Sequence, residues 1–331
     1  MRRPPAVARV LERVRGTARA HEMFLPGRTV LVAVSGGPDS VCLLESLVRM
    51  RRLFRIHLRV FHLDHRLREG SAADAAYVRR LAARHGLAFD LRTAEGAPPR
   101  GASVEAWARG ERRAAMAEAA RDADAATIAL GHTMDDQAET VLMNLITGSG
   151  LSGLAGIRPV SGPYVEPLLE VSRAEVEAFC RALHLRPRHD PMNDDRRFLR
   201  VAVREAGLPA LERAAGRSLR EPIARTAEGL REDADELRRR AMAEVDRVMT
   251  EDEEGVDLEV AALLGLPRAV GGRVVAHAMY TAGAVGDRSD VAAVFDLADG
   301  RPGRRRDLSD GVKATRASRH VRLSRSLHFG P

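Results

Sequence analysis

Short apolar, β-branched runs alternate with amphipathic stretches through the first half of the chain, and this alternation leaves few folds open. Residues 29–35, TVLVAVS, form an apolar run that ends in Ser-Gly-Gly, which predicts a buried strand entering a turn. VCLLESLVRM follows with apolar residues three and four apart, a helix. RIHLRVFHLDH (55–65), FDLRTA (89–94) and ATIALGH (126–132) predict three further strands, and YVEPLL (164–169) a fifth, edge-like one. The intervening helices are SAADAAYVRRLAARHG, with Ser71 as N-cap and Gly86 as stop, then SVEAWARGERRAAMAEAARD and DDQAETVLMNLITG. Such an order predicts the α/β class, with a doubly wound, mostly parallel five-stranded sheet covered on both faces. In these sheets ligands bind beyond the carboxyl ends of the strands.

The 331 residues leave room for about two domains. The character of the chain changes near residue 216. Ser218 to Met249 reads as one long helix, with Ile223, Leu230 and Leu237 seven apart and Ala227, Ala234 and Ala241 between them. A two-helix seam and an amphipathic helix packed on its own domain both fit. Short helices are expected near 258–264, 267–280 and 289–299, ahead of a basic tail. The expected division is 1–216 and a smaller, mainly helical 217–331.

Basic residues outnumber acidic ones by 53 to 46, and Lys313 is the only lysine. Residues 301–331 hold nine Arg or Lys and two Asp, a local +7 that equals the charge of the whole chain. Arg186 to Arg204 is also arginine-rich. Guanidinium stays charged and its fork suits phosphate, so the pattern points to a polyanionic partner; a general bias toward Arg and Ala is the alternative. Aromatics make up only 4%, so phosphate contact and shape reading fit better than base stacking. A hydrophobic share of 45% supports a packed core. The chain has no run of 18 apolar residues, and MRRPPAVARVLERVRG lacks the apolar stretch of a secretion signal. Cys42 and Cys180 are too few for a disulfide framework. These features predict a reduced, cytoplasmic setting without a membrane partner.

Two motifs carry most of the chemistry. In SGGPDS (Ser35, Gly36, Gly37, Pro38, Asp39, Ser40) a strand enters, two glycines permit unusual backbone angles, and a helix leaves. Backbone N–H groups and the helix start then converge where a phosphate can sit. Ser35 and Ser40 add hydroxyl donors, and Asp39 can hold a metal ion. No Gly-Lys-Ser/Thr follows, so this is not a Walker A loop. GHTMDDQAET places His132, Asp135, Asp136 and Glu139 where another strand gives way to a helix. They can ligate Mg²⁺, orient a nucleophile or take a proton. Aspartates also cap helices, but a cap needs one such residue, not four. HLDHRLR (62–68) is a weaker signal, since His62 or His65 can simply end a strand. Glu105, Arg109, Arg112 and Arg113 lie near one face of a helix, which by default is a solvated charged face.

The combination resembles a known family. SGGPDS is the signature of PP-loop ATP pyrophosphatases. HLDHRLR, the EAWAR helix, GHTMDDQAET, LITGSGLSGLAGI, EPLLEVSRAEVEAF and DPMNDD running into RFLRVAVR together resemble the tRNA(Ile)-lysidine synthetases, in order over residues 28–216. LADGRPGRRRDLSDGVKA is similar to that family's second domain. The resemblance implies a catalytic domain at 1–216 and a basic, tRNA-binding domain at 217–331. It implies ATP and Mg²⁺ as cofactors, with free L-lysine and the CAU-anticodon tRNA(Ile) as partners. The cytosine 2-carbonyl oxygen is adenylated, and the lysine ε-amine then displaces AMP. By position, residues 35–40 take the ATP phosphates, with Asp39 toward Mg²⁺. His132 and Asp136 fall on a functional pair, Asp136 holding and deprotonating the amine. Arg112 falls on an essential helix arginine, for the lysine carboxylate or the adenylate, which reverses the default reading of its helix. Arg204 falls on a second arginine near tRNA or the adenylate, and Arg109, Asp135 and Arg200 are placed toward substrate or tRNA.

Two positions depart from the family pattern: Val201 follows Arg200 where Asn is common, and Arg113 stands where an aromatic often follows. The chain also ends before the third domain of the longest members, so the long helix and basic tail are expected to select the tRNA. Three rivals stay in view. A PP-loop tRNA thiolase needs cysteine pairs, whereas Cys42 and Cys180 read as packed apolar residues. An amide-forming PP-loop synthetase of a small metabolite has no need of the basic tail. A non-catalytic RNA-binding protein is disfavoured by the acidic GHTMDDQAET, which repels phosphate unless a cation intervenes.

Overall fold

The structure is a computed structural model that describes residues 4–64, 71–94, 104–188 and 199–325, with side chains from 107 onward in the third segment. The compact units divide at 228/229. Unit 1 begins with α1 (Pro5–Ala20) and continues as β1 (Thr29–Ala33), α2 (Pro38–Phe54), β2 (His57–Asp64), α3 (Ser71–Arg84), β3 (Ala88–Thr93), α4 (Val104–Asp122), β4 (Ala125–Ala129) and α5 (Met134–Ile146). After a short α6 (Leu151–Leu154) come the two-residue strands β5 (Val160–Ser161) and β6 (Tyr164–Val165), then α7 (Arg173–Ala182). A further helix runs as α8 (Leu199–Ala202), a π-helical turn at Val203–Gly207, and α9 (Leu208–Ala215). The chain then enters α10 (Arg220–Ala243), within which the division falls.

The sheet of unit 1 has six strands in the order β3-β2-β1-β4-β6-β5. All neighbours are parallel except the β5–β6 hairpin. The sequence predicted five strands; the sixth is β5, too short to show a period. Side chains of β1 alternate between two cores, as the pleat requires. Val30 and Val32 pack with Val10 and Val14 of α1, Leu44 and Leu47 of α2 and Phe179 of α7, whereas Leu31 packs with Phe61, Ile128 and Met116 of α4. α1 was not expected; its Val7, Val10, Leu11 and Val14 are buried at helical spacing between the arginines. Chain order reverses between β1 and β4, so the crevice beyond their carboxyl ends is the switch point where such sheets bind ligands. Both chemical motifs leave from there.

Unit 2 contains α11 (Val245–Val248), β7 (Met249–Asp252), β8 (Gly255–Glu259), α12 (Val260–Leu264), α13 (Arg268–Thr281), α14 (Arg288–Asp299), β9 (Arg305–Asp307), β10 (Val312–Arg316) and β11 (His320–Arg325). The three expected helices are present. The expectation of a mainly helical unit is revised, because a five-stranded antiparallel sheet, β7-β8-β11-β10-β9, runs through it. The basic tail is not an appendage: Val312, Ala314, Val321 and Leu323 lie in the core with Val274, Met279 and Phe295. Ala241 belongs to that core and Leu237 packs on it, in keeping with the amphipathic reading of the long helix. Among the described residues no helix is long and apolar enough to cross a membrane.

Candidate active site

Residues 34–37 leave β1 and turn sharply into α2, whose first residue is Pro38, a position that needs no N–H. Gly36 has φ +98°, in the left-handed region open to glycine. Its N–H donates to Ser40 Oγ at 3.1 Å, and Ser40 Oγ in turn donates to the Gly37 carbonyl at 2.9 Å. Ser35 Oγ lies 3.2 Å from Ser40 Oγ. His62, the last buried residue of β2, lies with Nδ1 2.7 Å from the Val34 carbonyl and so ties the neighbouring strand to the loop.

Asp39 sits in the first turn of α2, and its Oδ1 is buried with no hydrogen-bond partner. Burial, with Asp136 and Asp135 nearby, pushes its carboxyl up to about 6 against the pull of Arg173 and Arg204. An orphaned carboxylate oxygen beside a phosphate-type loop fits a hard divalent cation. Among the described residues no group of three or more His, Cys, Asp or Glu forms a metal cage. Mg²⁺ takes most of its ligands from phosphates and water, so a site for it needs no such cage.

Gly131 brings the second motif against the first: a Cβ there would lie 3.4 Å from the backbone of Asp39 and Ser40. Thr133 caps α5, and Asp136 closes the capping box, its Oδ2 accepting from Thr133 N and Oγ at 2.7 Å each. The other oxygen, Oδ1, faces Arg200 at 3.0 Å and Arg173 at 3.2 Å. The cap and the guanidiniums therefore use different oxygens of one carboxylate. Asp136 is buried, which raises its pKa, but the charges of Arg200, His132 and Arg173 and the Thr133 N–H outweigh this and hold it below the usual carboxylate range.

Around it lies a chain of ion pairs. Glu139, one helical turn on and 1% exposed, takes Arg200 Nε and Arg204 Nε at 2.9 Å each and Arg173 at 3.4 Å. Asp135 accepts the first N–H of α7, from Arg173, at 2.7 Å and meets Arg220 Nε at 2.7 Å. Arg204 sits in the π-helical turn, a distortion common at functional sites. His132 lies with Nδ1 2.7 Å from Glu166 Oε1, so Nδ1–H donates to the carboxylate and Nε2 carries the lone pair when the ring is neutral. Burial pulls the pKa of His132 down, but the hydrogen bond and charge of Glu166 and the charge of Asp136 lift it above the ordinary value.

The structure thus gathers Ser35 to Ser40, His132, Asp135, Asp136, Arg200 and Arg204 at the switch point. Arg109 and Arg112 are exposed on α4, which packs on β2 and β4, while Arg113 lies over the Tyr164 ring at 5.0 Å. His65 to Arg68, the Glu105 side chain and DPMNDD (190–195) lie outside the described residues. Sequence reasoning did not single out Glu166, Arg173 and Arg220. Glu166 directly follows β6 and Arg173 follows the Ser172 cap, and those positions at the carboxyl edge of the sheet were the available signal. Cys42 and Cys180 are buried free thiols; burial pushes Cys42 well above its usual value and Cys180 up to about 12. They behave as packed side chains.

Residues 11–211 match the model of the PP-loop domain family. A tRNA(Ile)-lysidine synthase of Symbiobacterium thermophilum is 41% identical over 96% of this chain and 69% of its own length. One from Thermobifida fusca is 38% identical over 89% of each. Among solved structures, a U34-tRNA thiolase of Methanococcus maripaludis shares the fold at a TM-score of 0.58, with 20% identity over 68% of this chain and 78% of that one. Since the PP-loop match spans more than half of the chain and the sequence relatives align with nearly all of it, the protein belongs to the tRNA(Ile)-lysidine synthases.

Proposed function

We propose that the chain joins free L-lysine to the wobble cytidine of a CAU-anticodon tRNA(Ile) at the expense of ATP. The observation that carries this is the pairing, at one switch point, of an anion-binding loop with a carboxylate–imidazole cluster able to receive an amine. The 2-carbonyl oxygen of cytosine is a poor leaving group. Its attack on the α-phosphorus of ATP expels pyrophosphate and makes it part of a good one. The lysine ε-nitrogen then bonds to C2, AMP departs with the oxygen, and the amine sheds its protons.

The residues divide this work by charge state. The loop N–H groups with Ser35 and Ser40 hold the phosphates, and Asp39 is the residue to hold Mg²⁺, which neutralises phosphate charge when bound. Asp136, kept ionised by its guanidinium neighbours, is the counter-charge for the incoming ammonium. A carboxylate held that acidic is a poor proton acceptor. His132 is the better acceptor, with Glu166 fixing its tautomer and presenting Nε2. Free lysine has a pKa near 10.4, so roughly one amine in a few thousand is neutral at pH 7 and an acceptor is needed. Arg200 and Arg204 already lean on Glu139 and are placed to turn toward the adenylate; Arg112 and Arg109 are assigned to the lysine carboxylate and the tRNA. Arg220 anchors Asp135. In this reading unit 2 supplies the tRNA contact.

The test is the product. Nucleoside digestion of CAU tRNA(Ile) after incubation with the protein, ATP and lysine should show cytidine heavier by one lysine less one water. Unmodified cytidine with consumed ATP would refute the proposal.

A further inference from the structure

The PP-loop is held from outside by a residue that none of its chemistry uses. The Gly36 carbonyl accepts from the backbone N–H of Arg188 at 2.9 Å. The Arg188 side chain turns back to α3, where its Nε donates to Asp74 Oδ1 at 2.9 Å. Asp74 is buried in the first turn of α3. The same α3 closes over Gly36: a Cβ on that glycine would meet Tyr77 and Val78 at 3.6 Å and Arg188 Cγ at 3.7 Å.

A trans peptide is planar, and its C=O and N–H point in opposite directions. Fixing the Gly36 carbonyl on Arg188 therefore fixes the direction of the Gly37 N–H on the other side of the same peptide. Among the described residues that N–H makes only a 3.4 Å contact, to Ser35 Oγ within the loop. Between two glycines the opposite peptide orientation carries little steric cost. It would turn a carbonyl oxygen, instead of an N–H, toward a bound phosphate. We propose that Asp74 and Arg188 are positioning residues that keep the Gly36–Gly37 peptide in its phosphate-binding orientation. The inference rests on the nucleotide reading of the loop and adds to it a control on nucleotide affinity from outside the pocket.

The ion pair is partly open, with the Arg188 side chain 47% exposed, so its effect is moderate. The test measures MgATP affinity by calorimetry, together with kcat, the KM values for ATP and lysine, and the melting temperature. Arg188→Ala and Asp74→Asn should weaken MgATP binding about three- to fivefold, with kcat and the lysine KM changed less than about twofold. Arg188→Lys should keep most of the affinity, and the exchange Asp74→Arg with Arg188→Asp should recover part of the loss. Unchanged MgATP affinity in Arg188→Ala would overturn the clamp. So would a parallel fall of every parameter and of the melting temperature that neither Arg188→Lys nor the exchange relieves. A wild-type protein that binds no MgATP would overturn the nucleotide reading itself, which separates the two failures.

Discussion

The two oxygens of Asp136 do different things: one closes the cap of α5 and the other faces two guanidiniums. Asp136→Asn keeps a cap acceptor and removes the charge. Turnover should then fall about 100-fold or more in a steady-state assay, with a smaller change in unfolding midpoint; turnover within a few fold of wild type would exclude the counter-charge role. His132 gives a pH signature. Its pKa is raised above 6.5, and in the proposed mechanism the neutral ring is the proton acceptor, so kcat/KM should climb with pH along a limb above that value. Glu166→Gln removes the charge that lifts the pKa while the opposing burial stays. The limb should therefore move to lower pH and kcat should drop. A limb that does not move would assign the proton to another group. Glu139→Gln is a stability test. It leaves Arg200, Arg204 and Arg173 short of a buried partner, at a cost of about 2–3 kcal/mol in denaturant unfolding, below the fully buried range because the arginines are 22–29% exposed. The acidic motif was legible because four polar residues at one helix start exceed what capping requires. Glu166 and Arg173 were not, since each is distant in sequence and meets the motif only through the fold.

At the scale of elements, β1 to β4 and α2 to α5 were legible because apolar period and turn residues agree in each. α1 is hard to read in the sequence because arginines are interspersed among its apolar residues, although its valines lie at helical spacing. The strands of unit 2 were hidden for a different reason. Val312, Ala314 and Arg316 of β10 point inward while Lys313 is exposed, so the alternation is written with small and charged residues and resembles a solvated tail. Buried Arg316 is spent on the carbonyls of Ala298 and Ala317. The start of α5 is the element on which the site depends most. Thr133→Ala removes its cap and should cost about 1 kcal/mol in unfolding free energy, with a loss of turnover larger than that figure alone implies because Asp136 loses a partner. Equal small effects on stability and turnover would show that the cap does not position the carboxylate.

For the whole molecule, the tail's charge divides into spent and available parts. Arg322 is held by Asp252 at 2.8 Å and Asp257 at 2.7 Å, whereas Arg301, Arg304, Arg305, Arg306 and Lys313 are exposed at and around the edge strand β9. Deleting residues 301–331 would remove β9, β10 and β11 and with them part of the core of unit 2, so loss of tRNA binding after that cut would report unfolding. Point substitutions are the sound test. Arg304→Ala, Arg305→Ala and Arg306→Ala together should weaken tRNA binding and lower the salt slope by about 2, with MgATP affinity unchanged; an unaltered slope would place the tRNA elsewhere. The central claim is that one site couples ATP cleavage to joining an amine to RNA. It is tested most directly by AMP and pyrophosphate release, with and without CAU-anticodon tRNA(Ile), against each free amino acid in turn. The account predicts turnover only when the tRNA and lysine are both present. Turnover without the tRNA, or with another amine in place of lysine, would contradict it.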